Sequence, residues 1–219
     1  MTTPGRGQPH PLHYFVMSGS PRRTSVNTSL AQVVAGVIES RGGTQRTATI
    51  ADFDMPLYDQ DEQDARGFPR AAERLREEFE QAHGVVLVSP EYNASFPGRL
   101  KNALDWLSRF RPQPFAEKQM LLLSASPSMS GGNRGLWGLR IPLEHLGARV
   151  YPDMFSLAQA TRALADGRLI DAMMQSRLEG TVGSFMDLAE AATHYACAKH
   201  VWVEFLGEPA ADPEIARAE

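Results

Sequence analysis

Cysteine is all but missing: Cys197 stands alone among 219 residues. A single thiol closes no intramolecular disulfide and builds no paired-thiolate zinc site, and it suits a reducing compartment. Long apolar runs are missing as well. Even the longest, among them Val85–Val88 and Met120–Leu123, fall far short of the ~20 residues a membrane helix needs. No charge of one sign dominates, since 22 basic residues face 26 acidic ones for a net charge of -4. A general attraction to nucleic acid or to an anionic membrane is therefore not expected, and an anionic ligand must be caught by a local site. The histidines form no His-x-x-x-His pair, and the acidic stretch from Asp52 to Asp64 has no EF-hand spacing. No metal site is predicted, and that stretch reads as a solvated loop. Met1–His13, with Pro4, Pro9 and Pro11 and no apolar core of its own, reads as a disordered leader rather than a signal peptide, which predicts a cytoplasmic protein.

Short apolar segments are present at Tyr14–Met17, Thr47–Ile50, Val85–Ser89, Met120–Ser124 and Val150–Phe155. The third and fourth are continuous rather than alternating, the pattern of strands covered on both faces of a parallel sheet. Between them the period turns helical. Leu30, Val33, Val34, Val37 and Ile38 form one stripe, Ala72, Leu75, Phe79 and Ala82 another, and Leu100, Ala103, Leu104 and Leu107 a third behind Pro97. Val182, Phe185, Ala189 and Ala192 form a last one. Leu136, Leu139, Leu143 and Leu146 also suit a helix, which Pro142 is expected to kink.

This alternation predicts an α/β doubly wound sandwich over residues 14–205, with a five-stranded parallel sheet and helices on both faces. Residues 156–180 read as an excursion before the last helix, and residues 206–219 as a loose tail. Trp106, Leu107 and Phe110 extend past what one sheet face covers, which predicts an oligomer interface on the helix that begins near Pro97.

Ligands of such sheets bind beyond the carboxyl ends of the strands. After the first strand, Ser18-Gly19-Ser20-Pro21-Arg22-Arg23-Thr24-Ser25-Val26-Asn27-Thr28 leads into the Leu30 helix. Hydroxyls, an amide, a guanidinium and free helix N–H groups there make an anion cradle suited to a monophosphate. The segment lacks the Gly-x-Gly-x-x-Gly and Gly-Lys-Ser/Thr patterns of dinucleotide and triphosphate sites, and it also fits an ordinary turn capped by Ser25 or Asn27. The third strand ends in Ser89-Pro90-Glu91-Tyr92-Asn93-Ala94-Ser95-Phe96-Pro97-Gly98, a loop able to hold a flat heterocycle beside Tyr92. The fourth ends in Ser124-Ala125-Ser126-Pro127-Ser128-Met129-Ser130-Gly131-Gly132, polar enough to border the ring's other edge. Arg99, Lys101, Arg109 and Arg111 lie near this region, either as a receptor for nucleotide phosphates or as a solvated helix face.

Gly19-Ser20-x-Arg22-x-x-Ser25-x-Asn27, then Pro90-Glu91-Tyr92-Asn93, then Pro97-Gly98-x-Leu100-Lys101-Asn102-Ala103-x-Asp105-Trp106 resemble the NADPH-dependent FMN reductase family, a flavodoxin-like group that includes chromate, quinone and azo-dye reductases. The resemblance implies an FMN-dependent oxidoreductase that draws on NADPH or NADH and reduces a small-molecule acceptor. It implies that Ser20, Arg22, Ser25, Asn27 and Thr28 hold the FMN phosphate. Pro90, Glu91, Tyr92 and Asn93 would border the isoalloxazine, with Ser126 touching it, and the assembly would be a homodimer or homotetramer. The absence of any Ser-His-Asp, Cys-His or paired-carboxylate arrangement fits chemistry carried by a cofactor. The rival is a flavodoxin-type electron carrier, against which stand the Ser-Pro-Arg-Arg-Thr-Ser loop and the modest net charge.

Overall fold

The computed structural model describes residues 11–194. Residues 1–10 of the expected leader, residues 195–205 and the 206–219 tail lie outside the described residues. Strand β1 (His13–Ser18) begins at the last residue assigned to the leader, and with β2 (Thr44–Thr49), β3 (Gly84–Val88) and β4 (Gln119–Ala125) it forms a parallel sheet in the order β2-β1-β3-β4. The edge beyond β4 corrects the expected fifth strand. Instead of one segment over Val150–Phe155, β5 (Arg149–Val150) pairs with the start of β4 and β6 (Phe155–Leu157) with its end. Pro152 lies in the gap and has no N–H to give a ladder, so the chain leaves the sheet there and returns. Strand β2 runs earlier than the expected Thr47–Ile50, because Ile50 opens a 3₁₀ turn, Ile50–Asp52, closed by Asp52 on the Thr49 N–H at 2.7 Å.

Alternate residues of each inner strand feed two cores. Phe15, Met17, Val85, Leu87, Met120 and Leu122 face one layer, formed by α3 (Arg70–Gln81), α4 (Gly98–Leu107) and α5 (Asn133–His145). Val16, Val86, Val88, Leu121 and Leu123 face the other, formed by α1 (Val26–Ser40) and α7 (Ala172–His194). Truncating a strand residue such as Leu87 leaves a void between packed layers, at a cost of about 2–5 kcal/mol. Helix α5 continues through Pro142, and among the described residues no helix is long and apolar enough to cross a membrane.

Three further expectations change. Part of the acidic stretch is helix α2 (Gln60–Arg66), whose N-cap Asp59 accepts from the N–H of Asp61 and of Glu62. Acidic residues in a first turn suit the positive end of a helix dipole, and since α2 buries no residue, no apolar period betrays it. The 156–180 stretch holds α6 (Ala160–Ala163), a hairpin of β7 (Leu164–Ala165) and β8 (Arg168–Leu169), and already the first turns of α7. Finally, Trp106 is only 1% exposed, and Leu107 and Phe110 are buried as well. Tyr58 and Phe68 pack on Trp106, Phe68 stacks on Phe110 at 3.9 Å, and Arg76 covers the other side of that ring. The chain between β2 and α3 thus covers the surface assigned to a partner.

Candidate active site

The chain passes from β1 to β2 on one side, while β3 lies on the other, so the loops following β1 and β3 diverge over a crevice at the carboxyl ends of the strands. Gly19 N–H donates to Val88 O at 2.9 Å and joins these loops at their base. The hydroxyl residues Ser18, Ser20, Ser25, Ser89 and Ser124 are all buried around this point.

Each residue of the cradle loop has a defined place. Ser20 Oγ accepts the Arg22 N–H at 3.4 Å and turns the loop, Ser25 Oγ caps α1 through the Asn27 N–H at 3.2 Å, and Thr28 Oγ1 donates to Ser18 Oγ at 3.0 Å. The Arg22 side chain is exposed and has no ion pair or hydrogen bond with any described residue. Asn27 differs from the others. Its Nδ2 donates to Ala125 O at 2.8 Å and its Oδ1 accepts the Ala125 N–H at 2.9 Å, both buried, so the amide clamps the start of α1 to the end of β4.

After β3, Pro90 is buried and Glu91 turns inward. Its Oε2 accepts the Gly135 N–H at 3.0 Å and its Oε1 accepts from Arg134 at 2.7 Å, which caps α5 from a distant loop. Burial by itself would raise the Glu91 carboxyl, but the Gly135 N–H and the Arg134 guanidinium outweigh it and hold the group below the usual carboxylate range. Next comes a tight turn in which Tyr92 and Ser95 exchange backbone hydrogen bonds at 2.8 and 3.0 Å. Asn93 and Ala94 at its tip both take positive φ, 52° and 61°, the conformation of a type I′ turn. Tyr92 stands 45% exposed at the rim.

On the opposite rim, Ser126 N–H donates to Leu157 O at 3.0 Å, and the hydroxyls of Ser126, Ser128 and Ser130 follow one another at 2.9 Å. Gly132 caps α5 with φ +86°, and a Cβ there would collide with Ser124 Oγ. That hydroxyl is fully buried and has no hydrogen-bond partner among the described residues.

Sequence reasoning missed Arg134 and Gly135, which lie more than forty residues from Glu91 and share no local pattern with it. It also missed the double anchor of the chain after β2: Asn102 Nδ2 and Trp106 Nε1 both donate to Pro56 O, and Asn102 Oδ1 accepts the Tyr58 N–H. The basic group on and after α4 is engaged locally. Arg99 pairs with Asp54, Lys101 with Asp105, Arg109 with Gln60 and the Tyr58 ring, and Arg111 with the Ser108 carbonyl. Among the described residues no group of three His, Cys, Asp or Glu side chains could hold a metal ion.

A guanidinium unpaired among the described residues, a helix N-terminus and buried hydroxyls at the carboxyl ends of the strands fit a phosphorylated heterocycle such as FMN. Comparison with known proteins points the same way. A family model for NADPH-dependent FMN reductase matches residues 13–162. A quinone reductase of Escherichia coli (strain K12) is 42% identical over 139 residues, covering 64% of this chain and 73% of its own. An NAD(P)H-dependent FMN reductase of Pseudomonas aeruginosa is 37% identical over 157 residues, covering 71% and 83%. A flavoenzyme NAD(P)H:(acceptor) oxidoreductase from Paracoccus denitrificans superposes with a TM-score of 0.71 at 30% identity, covering 82% of this chain and 97% of that one. These relatives favour a reductase over a flavodoxin-type electron carrier, and the chain, an oxidoreductase of flavodoxin-like fold that uses FMN and NAD(P)H, belongs to the NADPH-dependent FMN reductase family.

Proposed function

We propose that this reductase passes two electrons from NADPH or NADH to a quinone-like acceptor, with other flavins, chromate or azo dyes as alternative oxidants, in the cytoplasm. FMN, when bound, supplies a ring N5 that accepts hydride and returns the electron pair. The protein's part is binding and orientation. Arg22 offers its guanidinium to the phosphate, with Ser20, Ser25 and Thr28 shaping the loop and the α1 N-terminus beside it. Asn27 acts from behind by fixing that N-terminus to β4. Pro90, Glu91, Tyr92 and Asn93 form one wall of the ring site and Ser126 the other, while Glu91 holds α5 in place.

The observation that carries this reading is the unpaired Arg22 side chain at the mouth of the crevice. The test is spectroscopic. Purified protein loaded with FMN should be yellow, bleach within seconds on adding NADPH without oxygen, and recover its colour on adding benzoquinone. A flavin that NADPH and NADH leave oxidised would sink it in favour of an electron carrier.

We infer that the working form is a homodimer or homotetramer. The surface that supports this is α5, where Trp137 is 56% exposed and Ile141 72% exposed one turn apart. Two large apolar side chains on one accessible helix face favour cover by a second copy.

A further inference from the structure

A cavity of about 290 Å³ lies between the end of β6, α6, β8 and the start of α7, on chain that abuts the Ser126–Ser130 loop but with none of that loop's residues in its lining. Leu157, Ala163, Leu169 and Met174 give it apolar walls, and Gln159 and Arg162 stand at its polar side. Asp171, the acidic residue of the lining, is already committed, because its Oδ1 accepts the N–H groups of Met173 and Met174 at 2.8 and 3.1 Å. Arg162 is exposed and its guanidinium has no partner among the described residues. Asp171 keeps its negative charge, which the N-terminus of α7 partly offsets, so the cavity combines a greasy floor with a guanidinium that no carboxylate pairs among the described residues.

The backbone gives a second reason to regard it as a built site. Gln159 takes φ 48° and ψ 37°, a left-handed conformation that is strained for a residue other than glycine, asparagine or aspartate. The fold holds it there through the Gln159 N–H on Ser128 O at 3.1 Å and the Ala160 N–H on Ser126 O at 3.0 Å. This strained corner turns the chain out of β6 and forms the cavity wall. Strain maintained at a cavity lip is a mark of a functional site.

We propose that this cavity is a small-molecule site separate from the redox crevice, binding a compact apolar anion: a hydrophobic body on Leu157, Leu169 and Met174, with its acidic group on Arg162. Its size is at the lower end for small-molecule sites, which fits a single-ring or fused-ring acid better than a whole dinucleotide. The claim stands on these residues alone and does not depend on the flavin reading.

Isothermal titration of 1-naphthalenesulfonate into the full chain, with and without added FMN, tests it. We expect one molecule bound per chain, with the same affinity whether or not FMN is present. Arg162→Gln should weaken binding about fivefold, the scale of one accessible charge contact. Ala163→Leu, which fills the cavity, should abolish binding while leaving the far-ultraviolet circular dichroism unchanged, and Arg66→Gln on remote α2 should have no effect. Neutral 2-naphthol should bind parent and Arg162→Gln equally. The proposal is overturned by an absence of binding at millimolar probe, by competition between probe and FMN, or by binding that neither cavity variant alters. Should Ala163→Leu misfold, Arg162→Gln decides alone.

Discussion

Glu91 caps a helix to which it does not belong: its carboxylate accepts the Gly135 N–H at 3.0 Å and pairs with Arg134 at 2.7 Å, with the side chain only 8% exposed. The loop after β3 and the start of helix α5 are thereby one unit. Because the N-cap of α5 is Gly132, with no side chain to accept, the Gly135 N–H depends on this borrowed acceptor.

Glu91→Gln keeps the shape and removes the charge. It should destabilise the protein by about 1.5–3 kcal/mol at neutral pH, the range for a hydrogen bond to a charged group. The folded carboxyl titrates below its ordinary value of 4.5, so its contribution is complete above that value and is lost as pH falls through the lower folded one. Thermal melts between pH 7 and pH 3 should show a steeper acid loss for the parent than for Glu91→Gln. Parallel curves would detach Glu91 from acid sensitivity.

Ala94 occupies a position made for glycine. Its φ of 61° costs an alanine about 1–2 kcal/mol, partly offset by the entropy a glycine would lose on folding. Ala94 is exposed, so its methyl has little packing to lose. Ala94→Gly should therefore raise stability by up to about 1 kcal/mol, a melting increase of roughly 2–4 °C for a chain of this size, and calorimetry reads it directly. A lower melting point would mean that the methyl is packed in the native loop.

The inner strands and the long helices were legible because burial on both faces leaves continuous apolar runs, as in Val85–Val88, and one-sided burial leaves stripes, as in α1. Elements that bury little were not. Helix α2 rests on Asp59 capping and charge, and β2 shows the core only Ala48 within a polar segment. Pro152 stood in plain view, yet whether it ends an edge strand or interrupts it depends on how β4 offers its two ends. In the candidate site, the loop residues were legible from their order. Their division of labour was not, because Asn27 on Ala125 and Glu91 on Gly135 are contacts between segments far apart in the chain.

Trp137 and Ile141 carry the prediction about assembly. Trp137→Glu combined with Ile141→Lys should leave the fold intact, since both side chains project from the accessible face of α5, but should shift sedimentation from dimer or tetramer to monomer. An unchanged sedimentation coefficient would place the interface elsewhere.

Arg22 and Asn27 make the sharpest contrast, since both stand in the same cradle motif but only one has a free side chain. Asn27→Ala removes both partners of a buried N–H and C=O, each worth about 1–3 kcal/mol when left unsatisfied, so it should lower stability by several degrees whether or not FMN is bound. Arg22→Ala removes no side-chain hydrogen bond or ion pair among the described residues and should leave the melting temperature of the FMN-free protein unchanged. A charge-assisted contact to phosphate contributes about 1.5–3 kcal/mol, and this one is accessible to water, so FMN affinity should fall toward the weaker end, roughly tenfold. Neighbouring Arg23→Ala should cost less. Fluorescence titration of FMN into the three variants, with melts of each apo form, separates binding from folding. If Arg22→Ala bound FMN as tightly as the parent, the phosphate would have to lie elsewhere in the crevice.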